Sequence, residues 1–150
     1  MSGVVGISEA ASIGLHTMLV LASAPERVHR SREVAERLRV SGAHLSKVFQ
    51  RLHRAGLVES VRGPKGGYRL SRPAEEISLL TIYEVIEGPL EEQGCLLEKP
   101  ICDGTCCLLG GVLQRVSAEI RQKLAETTLA QTAAVLATDQ PTETGQPATA

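Results

Sequence analysis

The sequence predicts a mainly α-helical protein carrying one small β-hairpin. Three observations predict it. Two short helical periods flank the tight turn Val40-Ser41-Gly42, a glycine-rich run sits between two short apolar stretches at 57–70, and a long amphipathic period fills 108–126.

Taken in order, residues 8–23 read as the first helix. Ser8 is placed to cap it, and Ile13, Leu15, Met18, Leu19, Leu21 and Ala22 give it a broad apolar face. Ala24-Pro25 ends it, because the residue before proline avoids the helical region. Ser31 is expected to cap a short helix, REVAERL, with Glu33 supplying part of a capping box. After the turn comes AHLSKVFQRLHRAG, whose Leu45, Val48, Phe49 and Leu52 keep the helical period until Gly56 stops it. Leu57, Val58 and Val61, then Tyr68 and Leu70, predict two strands joined by Arg62-Gly63-Pro64-Lys65-Gly66-Gly67. Helix, short turn, helix and then a hairpin with a cationic tip is the layout of a winged helix-turn-helix.

Ser78 opens a further helix, LLTIYEVIEG, closed by Gly88-Pro89. The stretch 89–107 holds all four cysteines and little periodicity. From 108 to 126, Leu109, Val112, Leu113, Val116, Ile120 and Leu124 recur at three- and four-residue spacing. Thr127-Thr128 interrupts the pattern before a last short helix, LAQTAAVLA. Residues 138–150 carry no apolar pattern and are expected to form a disordered tail. The organisation read from this is a DNA-binding unit over 1–88, a sensor loop at 89–107, a dimerisation helix with a C-terminal helix over 108–137, and the tail.

Composition narrows the function. With 43% hydrophobic and 22% charged residues the chain matches an ordinary globular protein, and no apolar run reaches the roughly 18 residues of a membrane span. The leader MSGVVGISEA lacks the basic start of a signal peptide, so the expected location is cytoplasmic, with no membrane partner. Phe49, Tyr68 and Tyr83 are the only aromatic residues, which argues against gripping single strands by base stacking. The net charge of −1 conceals a block at 26–72 with twelve Lys/Arg against four acids. Such a block is the electrostatic footprint of duplex DNA binding.

The second helix of a helix-turn-helix enters the major groove and presents polar side chains from its start. Here these are Ser41, His44 and Lys47, with Gln50, Arg51 and Arg54 following. Lys47 and Arg51 are one turn apart and share a face. Arg62 at the wing tip suits the minor groove, where negative potential favours arginine, while Lys65 and Arg69 suit phosphates. Ser31 completes the candidate DNA contacts.

Cys95, Cys102, Cys106 and Cys107 fall within thirteen residues, with no cysteine elsewhere. In a reducing compartment such clustering points to a metal site or a redox sensor rather than a disulfide. Thiolates suit zinc or an iron–sulfur cluster, and spacing alone leaves both open. An enzyme is not expected. There is no Cys-x-x-Cys redox pair, and His16, His29, His44 and His53 lie far from the cysteines in sequence.

The run HLSKVFQRLHRAGLVESVRGPKGGYRLSRPAEEISLLTIYEVIEG resembles the signature of the Rrf-type (IscR/NsrR/CymR-like) winged helix-turn-helix transcriptional regulators. GLVESVRGPKGGYRL is similar to that family's wing and TIYEVIEG to the helix after it, and the likeness continues through LLGGVL to ETTLA, roughly 7–134. The resemblance implies a homodimer formed through the long helix, a palindromic double-stranded DNA operator and a repressor's role. It also implies an iron–sulfur cluster, 2Fe-2S or 4Fe-4S, sensing redox state, nitric oxide or iron supply. The ligand role carries over to Cys95, Cys102 and Cys107, with Cys106 as replacement or fourth ligand; Glu9, Ser12 and Glu98 are further candidates for the fourth position. Members without a cluster imply the alternative, the same fold controlled by a protein partner, a small molecule or thiol oxidation, or one carrying a structural zinc. This chain departs from the family pattern in two places. Six residues rather than five separate the first two cysteines, and Ser46 stands where an acidic residue is common.

Overall fold

The computed structural model describes residues 7–91, 95, 97, 99, 101–103, 108–109 and 111–138. Its elements run α1 Glu9–Ala22, α2 Ser31–Leu38, α3 Gly42–Arg54, β1 Val58–Val61, β2 Gly67–Leu70, a single 3-10 turn at Ala74–Glu76, α4 Leu79–Glu87, α5 Val112–Glu126 and α6 Leu129–Thr138. β1 and β2 pair antiparallel, with Val58 opposite Leu70 and Val61 opposite Gly67. The mainly α fold with a two-stranded wing is as the sequence predicts.

Serine chemistry sets three of the helix starts. Ser8, Ser41 and Ser78 each sit in extended backbone, and each hydroxyl accepts from an amide three residues on. Those caps satisfy donors the helix itself cannot pair. Ser31 corrects the expectation. It is the first helical residue of α2, Arg30 is the cap, and no side chain closes it. The reason lies one residue earlier, where His29 and Tyr68 exchange backbone hydrogen bonds at 2.8 Å in both directions. That pairing holds the chain extended up to Arg30, so the helix begins after it. Glu33 is not used in a capping box either; its carboxylate pairs with Arg27 at 2.7 Å.

The turn of the helix-turn-helix rests on Arg39, the only non-glycine with positive φ among the described residues (φ 56°). Its amide and that of Val40 return to Glu36 and Ala35 carbonyls, which closes α2 and lets α3 start almost at once. The left-handed conformation is costly for a side chain, so the surrounding structure must impose it.

The core is one cluster. Met18, Leu21, Leu45, Phe49, Leu52, Leu57, Ile77, Ile82 and Leu129 are all almost fully buried within it. Helix α1 runs through its middle and packs on α3, α4 and α6. Gly14 is required where α1 meets α4, because a Cβ there would lie 2.8 Å from Ile86 Cγ1. Helix α6 returns to the domain through a short backbone bridge, Leu79 N–H to Thr127 O at 3.0 Å and Leu129 N–H to Ile77 O at 2.8 Å. The long helix is shorter than expected. Gly111 caps it in a left-handed conformation (φ 77°), and Leu108 and Leu109 form a turn before it. The expected tail at 139–150 lies outside the described residues.

Candidate nucleic-acid interface

Helix α3 is built to be two-faced. Leu45, Val48, Phe49 and Leu52 are buried, while His44, Lys47, Gln50 and Arg54 are exposed on the opposite side. The wing is fastened to the same helix. The rings of Phe49 and Tyr68 stack with centroids 3.9 Å apart and planes within 6°. Gly67 lets β2 come close to His29, since a Cβ at that position would sit 2.2 Å from the His29 carbonyl oxygen. Gly66 is equally confined, by the Val61 carbonyl at the hairpin tip. Arg62 and Lys65 therefore project from a tip whose backbone tolerates no larger residue at 66 or 67.

The predicted contact residues fall into three groups. His44, Lys47, Gln50 and Arg54 on α3, with Arg62 and Lys65 on the wing, are exposed, and among the described residues their side chains have no hydrogen-bond or ion-pair partner. Ser31, Arg32, Arg39 and Ser46 line one open cleft of about 590 Å3 between α2 and the start of α3. That arrangement adds Arg32 and Arg39, which sequence reasoning left out although both lie in the basic block. Glu36 hydrogen-bonds Arg32 at 2.9 Å and holds its guanidinium above the ordinary pKa. Three others are engaged locally. Ser41 accepts the His44 amide at 3.2 Å, Arg69 pairs with Glu59 across the hairpin, and Arg51 Nη1 donates to the Ile86 carbonyl at 2.5 Å. Ser46 Oγ donates to Gly42 O at 2.8 Å, one turn back on its own helix.

Of the cysteines, Cys95 is half-buried and Cys102 exposed, and both are free thiols; Cys106 and Cys107 lie outside the described residues. Their chemistry suits thiolate ligation of iron or zinc, and open thiols equally suit oxidation. Among the described residues no three His, Cys, Asp or Glu side chains come together as a ligand set. Glu9 faces a recess of about 230 Å3 that it shares with His44, Lys47 and Arg51, so within this chain it attends α3. Glu98 is outside the described residues. The chain segment leading to the cysteines is anchored at Leu90, whose carbonyl accepts from Arg121 Nη1 at 3.0 Å; the same Nη1 pairs with Glu84 at 3.1 Å. No described helix is long and apolar enough to cross a membrane.

Comparison with known proteins agrees with this architecture. IscR of Cereibacter sphaeroides, an HTH-type transcriptional regulator, is 53% identical over 55 residues, covering 37% of this chain and 36% of that protein. The chain spans less than two thirds of the length of the first curated relatives it matches, 66% for an HTH-type transcriptional regulator of Haemophilus influenzae. Among solved structures, CymR, the global cysteine regulator of B. subtilis, superposes with a TM-score of 0.73 at 27% identity, covering 87% of this chain and 98% of that one. IscR of T. potens superposes with a TM-score of 0.68 at 28% identity, covering 97% of each. These relatives are regulators of transcription and not enzymes. Residues 7–134 match the Rrf2 family, described as iron-dependent transcriptional regulator, and the chain belongs to that family.

Proposed function

We propose that the protein is a sequence-specific repressor that binds a palindromic duplex operator as a homodimer and adjusts its affinity through the cysteine segment. The observation carrying the DNA half is the exposed, unpaired row His44, Lys47, Gln50 and Arg54, fixed beside the wing cations by the Phe49–Tyr68 stack. His44, Lys47 and Gln50 reach base edges, Arg54, Lys65 and Arg69 meet phosphates, and Arg62 enters the neighbouring minor groove. Ser31 and Ser41, at the starts of α2 and α3, lie where a phosphate approaches; Arg51 has the separate role argued below. Two-fold symmetry comes from α5, whose Val112 is 44% exposed and continues the apolar stripe of Val116, Ile120 and Leu124.

For the sensing half we assign Cys95, Cys102 and Cys107 as iron–sulfur ligands, with Cys106 in reserve. When bound, a cluster supplies a centre whose integrity depends on oxygen, nitric oxide and iron supply. The chain's own part is mechanical. A change at the cysteines is transmitted to Leu90 and so to Arg121 and Glu84. A second reading is favoured by the exposed thiol of Cys102, with Cys95 half-buried, and by the likeness to CymR, whose Staphylococcus aureus form is also solved oxidized. In it, thiol oxidation replaces the cluster and uses the same lever.

Anaerobic purification with iron and sulfide analysis, followed by titration of a duplex selected from a random pool by the wild-type protein, separates these readings. Visible absorbance with matched iron and sulfide, and an affinity that changes in Cys102→Ala at equal salt, support the cluster. A colourless protein whose affinity responds to peroxide and recovers with thiol reductant supports the second reading. Failure to enrich any duplex sinks the DNA assignment itself.

A further inference from the structure

The last turn of α4 is where four separate elements meet. Glu84 holds Arg121 of α5 at 3.1 Å, and its Oε1 also receives the Leu90 amide at 3.4 Å. The Ile86 carbonyl receives Arg51 of α3 at 2.5 Å. The Ile86 side chain seats against Gly14 of α1, and Glu87 accepts the hydroxyl of Ser8, the residue that caps α1. The helix end lacks a C-terminal partner of its own beyond the Gly88 amide to Glu84, and Gly88 leaves it at once with φ 90°. The Ile86 carbonyl is thus satisfied by a side chain from another helix rather than by local capping.

We infer that Arg51 and Arg121 are positioning residues, and that the last turn of α4 couples the cysteine segment and α5 to the DNA-reading helix. Arg121 grips the exit of α4 and the backbone at Leu90, five residues before Cys95. Arg51 ties the second half of α3 to the same turn from the other side. A displacement at Leu90 changes the Glu84–Arg121 clamp, moves the Ile86 carbonyl and shifts α3 through Arg51. Charged hydrogen bonds to partly buried carbonyls are strong enough to carry such a change, and the packed helices between them do not deform continuously. In its regulatory half this rests on reading the cysteine segment as the input; the mechanical link does not.

The link is tested in the free protein by hydrogen exchange. In Arg121→Gln, amides in the second half of α3 are expected to exchange about tenfold faster while those of α2 stay at wild-type rates, because loss of one charged hydrogen bond opens only what it supports. Unchanged α3, or an equal rise across α2 and α3, overturns the inference. A second arm uses the selected duplex. Arg51→Gln is expected to bind about tenfold more weakly with the wild-type salt slope, and to be non-additive with Arg121→Gln. A salt slope reduced by about one phosphate's worth makes Arg51 a DNA contact instead, and additive effects dissolve the coupling. If wild-type protein binds no duplex, the proposed function fails and the exchange experiment still decides the link.

Discussion

Phe49 and Tyr68 lie face to face, 3.9 Å between centroids, and this contact joins the reading helix to the wing. Phe49 is fully buried at 0% exposure, so its ring is both core and hinge pin. Phe49→Ala is expected to lower stability by about 3–5 kcal/mol, the usual cost of emptying a buried aromatic site. Tyr68→Leu keeps bulk and should cost less in urea denaturation, yet weaken DNA binding by releasing the wing. Equal losses of stability in the two variants would contradict this division.

Two glycines of the interface region make a contrasting pair. Gly67→Ala forces a Cβ onto the His29 carbonyl and is expected to destabilise by about 1–3 kcal/mol, the range for overpacking. Gly42→Ala meets nothing within 4 Å and lies in the first turn of α3. Helix propensity then predicts a gain of up to about 1 kcal/mol. Thermal unfolding of both variants checks the sign of each.

Salt dependence separates the wing from the helix. Lys65→Ala should reduce the slope of log affinity against log salt by about 0.9 if it neutralises one phosphate. Lys47→Ala should cost about 1–3 kcal/mol on the selected duplex and much less on unrelated DNA, as a base contact does. Fluorescence anisotropy across a salt series reads both. Uniform weakening by Lys47→Ala on all sequences would move it to the phosphate class.

Burial, with a smaller push from Glu87, holds the Tyr83 phenol above its ordinary pKa of 10.0. Below about pH 10 the group is neutral folded and unfolded, so it adds no pH dependence. Above that the unfolded chain ionises first, and stability falls as pH rises through the higher folded value. The slope from one such group approaches at most about 1.4 kcal/mol per pH unit. In Tyr83→Phe this alkaline loss should vanish. A wild-type-minus-variant difference that stays flat into the alkaline range would show the phenol unperturbed.

Local rules made most of the fold legible. Ser8 and Ser78 announced their helices because a serine cap acts over three residues, and the wing followed from glycines and alternation, whereas Ser41, read as part of the turn, proved to cap α3 as well. Ser31 misled because the true boundary is set by Tyr68, far along the chain, and not by its neighbours. The start of α5 moved to Val112 because apolar spacing marks a face but not where the backbone turns at Gly111. The candidate interface was legible as a charge block, yet its division was not. Arg51 and Arg54 are chemically alike in the sequence, and only the approach of the Ile86 carbonyl distinguishes them.

The bridge between His29 and Tyr68, together with the ring stack, has a consequence for what regulation can alter. These contacts tie α3 to the wing, so under the proposed function a signal arriving through α4 is expected to move the two together. In the proposed homodimer that alters the distance between the two α3 helices, and the expected consequence is a changed preference for half-site spacing with the half-site sequence unchanged.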